Sequence, residues 1–288
     1  MPPVFRSYDQ KALEAQYTVT RAELQPLRDA RGRRTDAACD DVRRTRPRML
    51  DFVYGTHARE CIDMYPTEAD FAPLVVFIHG GYWKSRSKDQ FAYLAPTFTD
   101  RGCNFATIGY PLAPEVRLTD IVASCRRAIH WLLNYPSGLR FDPTRVHVIG
   151  HSAGGHLAAM MLATDWTRHA LPAGAVRSAT CISGLYDLTP LPLVRALRDL
   201  RIDAAEARAL SPAAITPPAG GRLIATVGGE ETAEFHRQTK TLATTWRRHG
   251  LKVTTPDAGG LHHFNVLDAL TDPKAALHKA VMATVTAR

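Results

Sequence analysis

VHVIGHSAGGHLAAMMLA, residues 146–163, sets a run of β-formers against a serine held between glycines, and a helix-forming run rich in Ala, Leu and Met follows at once. Val146, Val148 and Ile149 read as a buried strand and His156–Ala163 as a helix, so the chain turns sharply within residues 150–154. Gly150-His151-Ser152-Ala153-Gly154 matches G-x-S-x-G. In a strand-to-helix corner the serine backbone is forced into a strained conformation, and the flanking glycines remove side chains that would collide there. Its hydroxyl is then presented above the C-terminal sheet edge, at the N-terminus of a helix whose dipole favours negative charge. Five residues alone match often by chance; the position between strand and helix gives the motif its weight. Ser152 is predicted to be a nucleophile.

Working outward, "MLDFVYG" and "CIDMYP" read as an opening hairpin across the turn-prone "THARE". "PLVVFIHGG", "CNFATIGYP", "RVHVIG", "VRSATCISGLYD" and "GRLIATVGG" are apolar runs expected of strands covered on both faces, and "KVTTPDAG" is the last strand. "LTDIVASCRRAIHWLL", the helix after Ser152, "TAEFHRQTKTLATTWRRHG" and "DPKAALHKAVMATV" carry helical spacing. Strands alternating with helices predict an α/β fold: a mostly parallel central sheet of about eight strands, helices on both faces, and an antiparallel N-terminal edge. Residues 1–48 precede the sheet as a basic arm or cover, and residues 49–288 form a single domain. A short Pro-rich insert at about 188–219 breaks the alternation; both it and the arm are candidate covers for a site at the sheet edge.

The composition, 45% hydrophobic and 22% charged over 288 residues, is that of an ordinary globular protein. No signal-peptide core or membrane-span-length apolar run is present, and the five cysteines show no metal-ligand spacing, so a reduced cytoplasmic protein without structural metal is expected. Much of the net charge of +8 lies in "RDARGRRTDAACDDVRRTRPR", which lacks the aromatics of a nucleic-acid patch. It reads as a solvated face or partly mobile arm, with attraction of anionic substrates as a weaker role.

A serine hydroxyl needs a base, expected after the last strand, and an acid, expected after the strand before it. "GGLHHFNVLDAL" supplies His263, with His262 as the alternative, and "LIATVGGEETAEF" supplies Glu230 and Glu231; Asp257 is less well placed. "HGGYW", residues 79–83, ends the first long buried strand, and Gly81 and Tyr82 are expected to offer backbone N–H donors together with Ala153. Loss of one such donor typically slows acyl transfer about 100- to 1,000-fold. The parts together describe a nucleophile elbow. Trp83, Tyr186 and Phe264 are candidates for an aromatic substrate wall, with core packing as the competing role, and His151 and His156 are assigned packing or hydrogen-bonding roles.

"HGGYW", "GHSAGGHLAAMMLATDW", "SGLYDLTPL" and "GGEETAEFHRQ" together resemble the arylformamidases (kynurenine formamidases) of the α/β-hydrolase superfamily, from about residue 48 to the C-terminus, and "YDQKALEAQY" resembles bacterial members. The resemblance implies Ser152 as nucleophile, His263 as base and Glu231 as acid. The acid is an aspartate in better-known animal members, so glutamate is a departure, though other α/β-hydrolases use it. The implied reaction, part of tryptophan catabolism, hydrolyses N-formylkynurenine to kynurenine and formate without metal or organic cofactor. The expected partner is a small-molecule aromatic amide or ester, with neither nucleic acid nor membrane, and a homodimer is left open. A carboxylesterase with the same three residues is the runner-up. A catalytically silent binding protein of this fold is disfavoured because all three residues are kept, and a nucleic-acid accessory would require salt-sensitive retention.

Overall fold

Every residue of the strand Ala72–Ile78 is buried, because its run of Leu, Val, Val, Phe and Ile has no polar face to turn to water. Burial of each such side chain stabilises the fold by roughly 1.5–3 kcal/mol. This strand, β3, lies in the middle of the sheet in a computed structural model that describes the chain apart from Met1, Arg21, residues 135–139 and Arg288. Before it, β1 (Met49–Val53) and β2 (Cys61–Tyr65) form the expected hairpin. After it come β4 (Asn104–Ile108), β5 (Phe141–His151), β6 (Ser178–Ile182), β7 (Arg222–Thr226) and β8 (Lys252–Thr254). Among the described residues they make one eight-stranded sheet in the order β1-β2-β4-β3-β5-β6-β7-β8. β3 to β8 run parallel, while β1 is antiparallel to β2 and β2 to β4.

Helices cover both faces, as the alternation of patterns requires. One apolar cluster joins the sheet to α1 (Gln10–Tyr17), α4 (Leu118–Asn134), α5 (Ala153–Leu162), α6 (Ala204–Ala209) and α7 (Ala233–Arg248). A second joins it to α2 (Gln25–Thr45), α3 (Ala95–Thr99), α8 (Asp268–Thr271) and α9 (Ala276–Val285). Among the described residues no helix is long and apolar enough to cross a membrane.

Two boundaries differ from the sequence pattern. The last strand pairs only over Lys252–Thr254. Pro256 has no N–H for the ladder, and its carbonyl instead accepts from Thr226 Oγ1 at 2.7 Å. The closing helix starts at Ala276 because Asp272 Oδ1 accepts the Lys274 N–H at 2.9 Å, forming a turn first.

The strand order places the site. β4 and β5 lie on opposite sides of β3, so the connections leaving the C-terminal ends of β3 and β5 diverge and open a crevice. The elbow and the glycine loop of "HGGYW" both end there. The Pro-rich region 188–219 is not a bare loop but short helical turns around α6, two of which are Leu191–Leu193 and Arg195–Leu200.

Candidate active site

β5 ends at His151 and α5 begins at Ala153, leaving Ser152 alone at the corner with φ 57° and ψ −123°. Such a conformation costs a non-glycine residue about 1–3 kcal/mol and persists only where its surroundings enforce it. Here the Ser152 N–H donates to the Ile182 carbonyl at 2.8 Å. The start of α5 also packs so closely on β3 that a Cβ on Gly154 would lie 2.0 Å from the Ile78 oxygen. The glycine of the motif is therefore a packing requirement, and the local pattern dictates the corner.

The structure brings Ser152, His263 and Glu231 together from three connections. His263 Nε2 lies 3.0 Å from Ser152 Oγ, and His263 Nδ1 lies 2.6 Å from Glu231 Oε2. Ser152 and His263 are 4% and 6% exposed. Burial alone would raise the Glu231 carboxyl, but the facing His263, the hydrogen bonds from His263 and Ser183 and the Gly228 N–H outweigh it, and its pKa falls below the usual carboxylate value. An ionised Glu231 accepts a hydrogen bond from the His263 Nδ1–H. Nε2 is then left to accept from the Ser152 hydroxyl.

The neighbouring candidates are engaged elsewhere. The His262 N–H donates to Asn265 Oδ1, and its Nδ1 accepts the Phe264 N–H, which turns that ring away from Ser152. Glu230 is exposed, with its N–H donating to the Leu261 carbonyl, and Asp257 Oδ1 accepts from the Gly259 N–H.

Gly81, Tyr82 and Trp83 have φ of 108°, 50° and 56°, which coils the loop after β3 tightly at the sheet end. Among the described residues neither the Gly81 nor the Tyr82 N–H donates to another group of the protein, and both residues line the same cavity as Ser152. Ala153 stands at the first position of α5, where a backbone N–H has no partner within the helix. The arrangement can receive a negatively charged oxygen beside Ser152.

The three aromatic candidates separate. Phe264 lines the cavity, about 390 Å³ in volume, and its ring is 5.6 Å from that of His263. Trp83 is fully buried with its ring edge-on to His156 at 5.1 Å, and it does not line the cavity. Tyr186 is also fully buried, its hydroxyl accepting the Gly184 N–H at 3.0 Å, and is likewise absent from the wall. Both are core residues. Their bulk and position in the chain match a pocket wall equally well; only the direction of each side chain decides.

Further side chains support these three, and of them sequence reasoning missed Ser183 and Phe235. Ser183 donates its hydroxyl to Glu231 Oε1, which also accepts the Gly228 N–H at 3.0 Å, so both carboxylate oxygens are occupied. Beneath the glycine loop, Tyr110 donates to the His79 carbonyl at 2.7 Å, and the two rings stack at 4.2 Å. Phe235 packs its ring against His263 at 4.9 Å. His151 lies beside His263 with ring centroids 4.8 Å apart, and burial, then the charges of His263 and Arg31, keep it neutral. His156 instead bonds the Leu210 carbonyl through Nε2 at 2.8 Å. The only signal for Ser183 was its place at the end of a strand in "SGLYD".

The cavity roof comes from the N-terminal region and the 188–219 segment: Tyr17, Arg28 and Arg31 on one side, Ala196 and Leu197 on the other. Tyr82 fastens the roof by donating its hydroxyl to the Tyr17 carbonyl at 2.6 Å. Among the described residues, no group of three or more His, Cys, Asp and Glu side chains is placed to hold a metal ion.

A family model described as BD-FAE matches residues 62–175. Over 235 residues the chain is 31% identical to the kynurenine formamidase of Salmo salar, covering 78% of this chain and 77% of that one. It is 29% identical to the kynurenine formamidase of Danio rerio over 81% of this chain and 80% of the relative. A crystal structure from Silicibacter sp. TM1040, provisionally described as a thioesterase, superposes with a TM-score of 0.80 at 30% identity, covering 96% of this chain and 99% of that one.

Proposed function

The chain belongs to the kynurenine formamidase family of α/β-hydrolases, and on that premise we propose that it is a serine hydrolase that cleaves an aryl formamide such as N-formylkynurenine. The observation that carries this reading is the hydrogen-bonded series from Ser152 Oγ through His263 to Glu231, at 3.0 and 2.6 Å, on the floor of a half-enclosed cavity.

In the proposed reaction the Ser152 hydroxyl attacks the formyl carbon as His263 Nε2 takes its proton. Glu231 stabilises the imidazolium that results and holds its ring in place. The carbonyl oxygen, now negative, accepts from the Gly81, Tyr82 and Ala153 N–H groups. Collapse of the tetrahedral intermediate breaks the C–N bond, and His263 returns the proton to the departing arylamine. Water, deprotonated by His263, then attacks the formyl ester, releasing formate and restoring the serine. An anilide nitrogen spreads its lone pair into the ring, so its departure demands less than that of an alkyl amine, and ordinary serine-esterase machinery suffices. Phe264 would face the aryl ring.

The same groups serve an ester, and partial similarity to the isoprenylcysteine alpha-carbonyl methylesterase of Arabidopsis thaliana, 32% identical over 40% of this chain, supports a small-molecule carboxylesterase as the second reading. Steady-state hydrolysis of N-formylkynurenine beside p-nitrophenyl acetate, with wild type and Ser152→Ala, separates the two. Deformylation that greatly exceeds ester turnover and is lost in Ser152→Ala is the expected result. Ester turnover with negligible deformylation would move the protein to the carboxylesterases.

A further inference from the structure

One side of the cavity above Ser152 is cationic. Arg28 and Arg31 of α2 line it together with Lys84 and Arg86 of the loop after β3, and Asp36 is the single carboxylate among the described lining residues. Two of these charges are already answered, Lys84 by Asp199 at 2.8 Å and Arg31 by Asp268 at 2.6 Å. Arg28 bonds the neutral Gln25 and lies over the Phe264 ring, 4.5 Å from its centroid. Arg86 has no ion-pair partner among the described residues. Its backbone is held in the left-handed region at φ 77°, and its carbonyl accepts from Arg59.

An arginine without a partner is usually just a solvated side chain. Two observations argue against that here. Arg86 is exposed at the cavity mouth, yet crowding by protein and the like charges of Arg28 and Arg31 outweigh Asp36 and push its guanidinium below its ordinary value, so the cations converge on each other. Also, Arg31 Nε, an N–H donor on a residue lining this cavity, is buried without a hydrogen-bond partner. Crowded cations and an unpaired N–H donor around one cavity are relieved together by an anion.

We propose that Arg86, with Arg28 beside it, recognises a carboxylate on the substrate, on the part that lies away from the bond to be cleaved. This rests on the reading of Ser152 as the nucleophile. A planar guanidinium takes a carboxylate through two parallel N–H···O bonds, and a half-enclosed site weakens the competition from water. Arg28 places its charge beside the Phe264 ring, so an aromatic substrate would reach the anion site with its ring against Phe264. The N-terminal cover thereby becomes part of the specificity apparatus.

The test uses two matched pairs of substrates: N-formylkynurenine against its carboxamide, and 4-acetoxyphenylacetate against 4-acetoxyphenylacetamide. The expected wild-type kcat/KM favours the carboxylate of each pair. Arg86→Gln shrinks that preference about 10- to 100-fold, mainly through KM, and Arg28→Gln shrinks it less. Arg86→Lys restores part of it, and 0.5 M NaCl narrows it in the wild type. Equal turnover of both members by the wild type would overturn the proposal, as would an Arg86→Gln enzyme that loses both members alike. If only the ester pair is hydrolysed, with an Arg86-dependent preference, the formamidase reading fails and the carboxylate site stands.

Discussion

Ser152 and His263 stand at the ends of sheet connections and are almost wholly buried, whereas α2, which faces them across the cavity, buries only Cys39 and Val42 along its 21 residues. The floor is fixed by short hydrogen bonds among buried groups: Ser152 to His263, His263 to Glu231, and Glu231 to Ser183 and the Gly228 N–H. The α2 part of the roof is held largely by ion pairs that water reaches: Arg31 and Arg34 to Asp268, Arg43 to Asp89, Arg46 to Asp100. Pairs of that kind contribute about 0–1 kcal/mol each, and less in salt. The contrast teaches where each demand of function falls. The chemically demanding groups are built on the buried sheet edge, and the cover over them is held by weaker, water-exposed contacts.

If the floor is as closely fixed as this implies, damage to it should be severe. Beyond Ser152 itself, Glu231→Gln should cost about 10⁴-fold in kcat with little change in melting temperature, because an amide no longer holds the His263 tautomer or its charge. A loss of 10-fold or less, read in the same steady-state assay, would mean that Glu231 only packs against the ring.

Acid should attack the sheet body before the cover. His79 and His147 are held down to about 3, and His156 to about 4, in each case chiefly by burial. These values lie below the ordinary 6.5, so the unfolded chain binds more protons as pH falls from 6.5 toward 4, and stability must fall with it. The upper limit is about 1.4 kcal/mol per pH unit per histidine, or about 4 for the three together. Thermal melts at pH 7.5, 6.5 and 5.5 should show a steep drop only between the last two. A flat profile would show that these rings gain protons without unfolding.

Ser183→Ala should cost about 10-fold in kcat, since Glu231 Oε1 keeps only the Gly228 N–H. An effect on KM alone would separate Ser183 from the orientation of Glu231. The smallest change belongs to the cover: Asp268→Asn, which releases Arg31 and Arg34, should cost under about 1 kcal/mol and lower the melting temperature by only a few degrees. In the wild type, 0.5 M NaCl should move the melt in the same direction. A larger loss than Ser183→Ala produces in kcat would break the comparison between floor and roof.

Much of this molecule is written locally. Alternating buried strands and helices follow from residue periodicity, as "PLVVFIHGG" becoming β3 illustrates, and Ser152 follows from glycines that a strand-to-helix corner cannot do without. Local information also brings the base down to two adjacent histidines and the acid to two adjacent glutamates, the resemblance to arylformamidases then pointing to Glu231. Adjacent loop residues direct their side chains differently, and spacing does not encode that direction. The tertiary structure sets His263, which the resemblance also implied, against Ser152 while His262 bonds Asn265 and Phe264, and it alone showed that Ser183, 48 residues from Glu231, completes its hydrogen bonding. It alone set Trp83 and Tyr186 in the core and Phe264 on the cavity wall. It also carried the arginines of α2, read from composition as a solvated basic face, over the site, because such contacts join segments far apart in the chain and leave no periodic trace within either one.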